Sequence, residues 1–356
     1  EVSFQEAEHV FLGGMADHNA INVRNYDSLG KLGEPEVKGY STELFTQSAI
    51  KFLKKQKDAK TPFFCYVAFT VPHDPYSPKK EWIGRYPDGS IPLPKNYLPF
   101  HPFEFDQLTV RDENLTGWPR KAEVIQQILS DYYGMVSHLD TQIAQIIQTL
   151  KETGKYENTL IVYVADNGLA AGSHGLLGKQ SLYEHSIKVP LIIKGPGIPK
   201  NQEFDAFAYI HDLYPTLAEL AGLPKREQPD GKSLVPVLKG EQKEVRELMF
   251  NAYRSTVRSV RKENWKLIRY PERDITQLFN LESDPDELVN LASRSEQSQK
   301  LEEMVSLLKI AQSQVRDTLS FTAKVIKSAA YDPDTLKRKP DQWQQEYVLK
   351  RYFSLD

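Results

Sequence analysis

A single cysteine, Cys65, occurs in 356 residues, which excludes an internal disulfide framework and any cysteine-rich zinc site. No run of roughly 18 apolar residues exists, so no membrane-spanning helix is expected. Neither sign of charge is in excess: 45 Lys and Arg face 48 Asp and Glu, a formal net charge of −3. No bulk electrostatic argument therefore favours nucleic acid or a membrane surface as partner. Internal repeats and low-complexity tracts are also lacking. What remains is a globular composition, 40% hydrophobic and 26% charged, long enough for one large domain and a smaller one.

The chain is organised around Thr159 to Gly197, TLIVYVADNGLAAGSHGLLGKQSLYEHSIKVPLIIKGPG. Its first residues, rich in Val, Ile and Tyr, predict a buried strand. Polar residues begin abruptly at the carboxyl end of that strand with Asp166, Asn167 and Gly168, the edge where ligands bind in open α/β sheets. A carboxylate beside an amide oxygen suits a hard cation such as Ca²⁺ or Mg²⁺; read alone, the triplet is more readily an Asx turn. His174, Lys179 and Glu184 follow in a glycine-rich loop, then a second apolar run, Val189 to Ile193. A cation site with a nearby Lys and His is chemistry for an anionic ester.

Elsewhere the pattern alternates helix and strand. Ser41 is a candidate N-cap for a helix to about Gln56, with Phe45, Ala49, Phe52 and Leu53 on its apolar face. Phe63–Thr70, which contains Cys65, reads as a strand around a buried core thiol, ending in a polar cluster at His73 and Asp74. Residues 76–120 are rich in Pro, aromatic and charged residues without period, the mark of a functional or mobile segment; Asn114-Leu115-Thr116 within them matches the N-glycosylation triplet by coincidence. Val124 to Leu150 repeats at three- and four-residue steps and Gly154 ends that helix. His138 and Asp140 near its stripe read as structural polar groups, and Asp212 as the N-cap of a helix closed by Gly222. From Leu248 four strand-like pieces, LMFNAYR, TVRSVR, NWKLIRY and TQLFNL, predict a small antiparallel sheet. A helix over 296–313 and a surface tail from about Tyr331 follow. The order predicts a mostly parallel sheet flanked by helices.

Together the motifs GYSTELFTQSAIKFL, FFCYVAFTVPHDPYSP, YYGMVSHLD, VADNG with HGLLGK and YEHSIKVPLIIKGPG, DLYPTLAELAGL, DGKSLVPVL, and KLIRY with LFNLESDPDELVNLA resemble the type I sulfatases of the alkaline-phosphatase superfamily. The resemblance covers nearly the whole chain. It implies an alkaline-phosphatase-like α/β fold with a small C-terminal antiparallel subdomain, and hydrolysis of sulfate esters, carbohydrate sulfates being the commoner case, by a formylglycine hydrate at a Ca²⁺ site. Carried over, Asp166 and Asn167 match metal ligands. Lys179 matches a catalytic lysine on the sulfate and leaving-group oxygens. His73 matches a catalytic histidine on the same side, and His174 a substrate-binding position facing the same pocket. The family also implies a periplasmic or secreted location.

The chain departs from the family in two places. No Cys-x-Pro-Ser-Arg motif is present to supply formylglycine, and no Asp-Asp dipeptide supplies the second pair of metal ligands. The expectation is a partial catalytic domain over 1–240, without its N-terminal part, and a C-terminal subdomain over 241–356. Such a chain would be inactive alone, with formylglycine carried by the missing segment. It begins Glu1-Val2-Ser3, without an initiator Met or signal peptide. The alternatives are a phosphodiesterase or phosphonate hydrolase of the same superfamily, and a non-catalytic protein that binds sulfated glycans.

Overall fold

The computed structural model describes residues 4–26, 30–224, 230–336 and 342–353. A short antiparallel pair, β1 (Ile21–Val23) and β2 (Glu36–Lys38), precedes α1 (Ser41–Lys55). In α1 the residues Phe45, Ala49 and Leu53 share the buried face, Glu43 lies in the first turn, and Lys54 and Lys55 lie in the last, as the helix dipole favours. Ser41 is the first helical residue rather than the cap. Tyr40 holds that position without a side-chain bond, because the Ser41 hydroxyl accepts from Thr70 Oγ1 at 3.0 Å instead.

The 31-residue α2 (Ala122–Glu152) packs against α1. Ile125, Ile128, Met135 and Leu139 form its buried stripe, as the three- and four-residue spacing predicts. Gly154, in the left-handed region at φ +71, ends it. His138 is buried with Nε2 3.4 Å from Glu43, and its ring meets Tyr40 edge-on; Asp140 is exposed.

The expected parallel sheet is absent among the described residues. Two strands, β3 (Ile161–Val164) and β4 (Leu191–Lys194), pair antiparallel with Tyr163 opposite Ile192. The chain between them folds back through a compact loop and the short α3 (Glu184–Ile187). It makes no helical crossover, and a parallel pair needs one. Phe63–Thr70 is extended and alternates half-buried with exposed residues, yet it forms no ladder. Its outward residues Phe64 and Tyr66 are 67% and 70% exposed, and Ile192 is 61% exposed. Cys65 is half-buried rather than in a core; burial pushes its thiol pKa up.

After α4 (Leu213–Leu220) and α5 (Val235–Leu238) comes the predicted antiparallel sheet. Its strands are β5 (Leu248–Tyr253), β6 (Val257–Lys262), β7 (Trp265–Tyr270) and β8 (Ile275–Asn280), paired in that order. One face, with Val260, Leu267 and Leu278, packs on Met304, Leu308 and Ala311 of α6 (Ser298–Gln314). The other, with Val257, Ile268 and Phe279, packs on Phe103, Phe105, Leu182 and Tyr183 of the preceding region. Asp212 stands before α4 as predicted, and Gly222 past its end has φ +68. The Asp212 carboxylate caps nothing in α4: it accepts from the amides of Tyr209 and Lys232 and pairs with Arg246 at 2.5 Å.

The tail returns as α7 (Glu346–Phe353) to lie on α2, burying Val348 and Tyr352. Tyr352 donates to Asp131 at 2.8 Å, and Gln345 reaches Asp17 at 2.5 Å. Among the described residues no helix is long and apolar enough to cross a membrane.

Candidate active site

The structure brings together the two residues expected to do chemistry. Lys179 Nζ lies 2.8 Å from His73 Nε2, although 106 residues separate them in sequence. At that distance Lys179 donates into the Nε2 lone pair, which leaves the Nδ1 proton for Asp74 Oδ1 at 2.6 Å. The Asp74 hydrogen bond is the main cause holding the His73 pKa above its ordinary 6.5, against burial and the Lys179 charge. Burial acts to raise Asp74, but His73 and Arg111 outweigh it, so its carboxyl stays below the usual range. Arg111 Nη1 is 2.6 Å from both Asp74 oxygens.

The backbone under His73 is fixed as well. Its amide donates to Thr70 O, and its carbonyl accepts from Nε2 of the buried His18 at 2.7 Å. Burial depresses the His18 pKa, and the neutral ring can donate from Nε2. On the other side, the loop carrying Lys179 packs backbone against backbone. A Cβ on Gly175, where φ is +76, would sit 2.4 Å from Phe100 C, and one on Gly178 would sit 2.8 Å from Asp112 Cβ. The Leu177 and Gly178 amides donate to the buried Glu113 carboxylate at 2.9 and 2.8 Å. Lys179 Nζ is also 3.2 Å from Asp112 Oδ2.

Asp166 and Asn167 stand just past β3, as expected. Asp166 is exposed and accepts from the Asn167 amide, while the Asn167 side chain donates to Gly168 O at 2.7 Å. That leaves the Asn167 carboxamide oxygen as a donor atom for a metal. Gly168 is required: a Cβ there would fall 2.0 Å from His185 O. Two oxygen donors suit Ca²⁺ in kind, but a calcium site takes about 6–8 oxygens. Among the described residues no group of three or more His, Cys, Asp or Glu is placed to hold a metal. Cys65 does not fit the formylglycine role, since it lies in the extended Phe63–Thr70 stretch and its sequence context lacks the motif.

His174 makes a separate set of contacts. Its ring is buried, stacks on Tyr183 at 3.9 Å, and meets Glu287 O at 3.0 Å and Asn96 at 3.4 Å. Glu287 belongs to the C-terminal region and Asn96 and Tyr183 do not; neither Lys179 nor His73 is among these contacts. Glu184 is loop support: it pairs with Arg261 at 2.9 Å and with the fully buried Lys266 at 2.8 Å, and Lys266 also reaches Glu287 at 2.8 Å. His185 is buried against Ser186.

Sequence reasoning missed His18, Arg111, Asp112 and Glu113, and named Asp74 in the polar cluster beside His73 without giving it a role. Adjacency to His73 could have marked Asp74. His18 sits in a polar stretch with no pattern, and the other three lie in the aperiodic residues 76–120.

Comparison with known proteins places the chain by family and fold. The Sulfatase family profile matches residues 8–223, and that of the N-sulphoglucosamine sulphohydrolase C-terminal region matches residues 172–316. Arylsulfatase K of Bos taurus is 31% identical over 307 residues, covering 75% of this chain and 56% of its own length; the chain thus spans about half the length of this curated relative. A protein solved in complex with its substrate D-glucosamine-2-N,6-O-disulfate superposes with TM-score 0.69 at 23% identity, over 80% of this chain and 72% of that one. The phosphonate monoester hydrolase of Agrobacterium radiobacter gives 0.67 at 24% identity, over 77% and 62%. These likenesses show an alkaline-phosphatase-like sulfatase fold. With its profile match spanning more than half the residues, the chain belongs to the sulfatase family.

Proposed function

We propose that Lys179 and His73 are the leaving-group side of a site that hydrolyses sulfate esters, with carbohydrate sulfates as the substrate class. The observation that carries this reading is the 2.8 Å contact between Lys179 Nζ and His73 Nε2, backed by Asp74 on Nδ1. The Lys179 ammonium can pair with a sulfate oxygen and with the bridging oxygen, where charge grows in the transition state. His73, with its pKa raised by Asp74, can carry a proton on Nε2 and give it to the departing oxygen once substrate has drawn Lys179 away. Asp166 and the Asn167 carboxamide oxygen would hold one side of a Ca²⁺ ion, which when bound supplies positive potential for the sulfate oxygens. The sugar disulfate that is the printed substrate of one structural neighbour supports the substrate class.

The remaining metal ligands and the formylglycine nucleophile are assigned to polypeptide beyond the residues at hand, and the chain by itself is inactive. Two features support this: among the described residues no group of three or more His, Cys, Asp or Glu stands with Asp166 to hold a metal, and the Phe64, Tyr66 and Ile192 side chains lie open to solvent, as they would beneath further strands. In the complete enzyme Lys179→Ala is expected to lower kcat/KM for p-nitrophenyl sulfate by orders of magnitude with the melting temperature unchanged. Near wild-type turnover in that variant would remove Lys179 from the chemistry.

A second reading, hydrolysis of a phosphate or phosphonate ester, draws on the phosphonate monoester hydrolase neighbour. Comparing p-nitrophenyl sulfate with bis-p-nitrophenyl phosphate on the complete enzyme separates the two.

A further inference from the structure

Three consecutive residues that the sequence left unread, Arg111, Asp112 and Glu113, open one short 3-10 turn, Arg111–Leu115. Each faces a different part of the Lys179–His73 pair. Glu113 is buried, and its carboxylate takes the Leu177 and Gly178 amides together with the fully buried Arg120 guanidinium at 2.6 Å. The next residue along the loop is Lys179. Asp112 Oδ2 meets the Lys179 ammonium at 3.2 Å and is itself held by Gln180 Nε2 at 2.7 Å. The Gln180 carboxamide oxygen in turn accepts from the Lys179 amide at 3.0 Å. Arg111 clasps both oxygens of Asp74, the residue that orients His73.

We propose that this turn is the positioning element of the site: Glu113 fixes the root of Lys179, Asp112 its charged tip, and Arg111 the carboxylate behind His73. The inference rests on the hydrolase reading for the importance of Lys179 and His73, though the geometry stands without turnover. A lysine side chain has four rotatable bonds, and pinning only its backbone would leave the ammonium free to sample solvent. Pinning both ends with charge-assisted bonds holds it against the imidazole before any substrate arrives. No residue of the turn has its own bond to the imidazole among the described contacts; Asp112 reaches it through Lys179 at 3.2 Å and, by a longer path, through Arg111 at 3.3 Å and Asp74.

That last point gives the test, which uses the full chain and needs no turnover. The imidazole of His73 is faced by Asp74, behind which stands Arg111, and by Lys179, while His18 lies behind its carbonyl. Its titration midpoint is read by side-chain ¹⁵N NMR in the wild type, Asp112→Ala, Lys179→Met and the double variant. Asp112→Ala should release the ammonium from Nε2 and raise the midpoint by on the order of half a pH unit. Lys179→Met should raise it at least as far, and the double variant no further than Lys179→Met alone. An unmoved midpoint in Asp112→Ala overturns the proposal, and so does a shift that adds in full to that of Lys179→Met. A merely structural Asp112 would lower the melting temperature without this non-additive signature. Glu113→Gln should speed exchange of the Leu177 and Gly178 amides; if it does not fold, the Asp112 series decides. Hydrolysis of p-nitrophenyl sulfate by the complete enzyme is scored separately, so a failed hydrolase reading leaves the titration result standing.

Discussion

The sheet β5–β8 and the strands that lead to the site are built to different standards of closure. In the C-terminal sheet every strand has a partner, α6 covers one face, and a layer of aromatic side chains covers the other. Around the site, among the described residues, β3 and β4 have only each other, and Phe63–Thr70 has no ladder. Phe4 stacks near Phe64 and Tyr66, at ring separations of 6.0 and 6.4 Å, but both stay open to solvent. Lys179 and His73 nonetheless meet at hydrogen-bonding distance. The lesson is that precision at the site comes from buried charge and close backbone contact in the loops, not from the sheet beneath them.

Lys266 joins the two regions, so its loss tests the contrast most severely. It lies fully buried on β7 and binds both Glu184 and Glu287. Lys266→Met should cost about 3–5 kcal/mol, because two carboxylates lose their shared buried cation. Urea unfolding checks this, and a loss under 1 kcal/mol would mean the two regions are held by apolar contact alone. A paired substitution within the regions comes next. Leu267→Ala, in the closed sheet, should cost about 2–5 kcal/mol, whereas Tyr66→Ala, on the open stretch, should change stability by no more than about 0.5 kcal/mol. Equal losses would erase the distinction.

A pH-dependent effect concerns Asp131, where α7 closes over α2. Burial raises its pKa from 3.8 to about 6, outweighing Arg351 and the Tyr352 hydroxyl. A carboxyl raised on folding stabilises the fold below its unfolded pKa, and that contribution is lost as pH rises through the folded value. Asp131 therefore costs stability progressively between about pH 4 and pH 6, and the full cost applies at neutral pH. Asp131→Asn should stabilise the protein by about 2 kcal/mol at pH 7.5 and by far less at pH 4. A gain that is the same at both pH values would show that the carboxylate is satisfied where it sits.

How much of this was legible in the sequence follows from the range of each interaction. α2, β5–β8 and α6 announce themselves because a helix or a hairpin strand buries a periodic stripe against near neighbours. The strand-like pattern of Phe63–Thr70 was equally clear, but whether a strand finds a ladder depends on what lies beside it, which no local pattern encodes. Lys179 and His73 came from motif resemblance. Their supports did not, since Arg111, Asp112 and Glu113 are polar residues in an aperiodic segment, and only the fold turns each toward a separate target. His174 too came from resemblance, and its contacts with Tyr183 and Glu287 were not legible, since those residues are brought to it by the fold.

The return of α7 has a consequence for how the molecule comes into being. Gln345 binds Asp17, 328 positions earlier, and Asp17 precedes the histidine that holds the His73 carbonyl. The loop that this bond closes is nearly as long as the described chain itself. Contacts of such long range close slowly. The fastening of α7 to the stretch before His18 is thus a long-range closure, whereas the Lys179–His73 contact is held by loops nearer at hand.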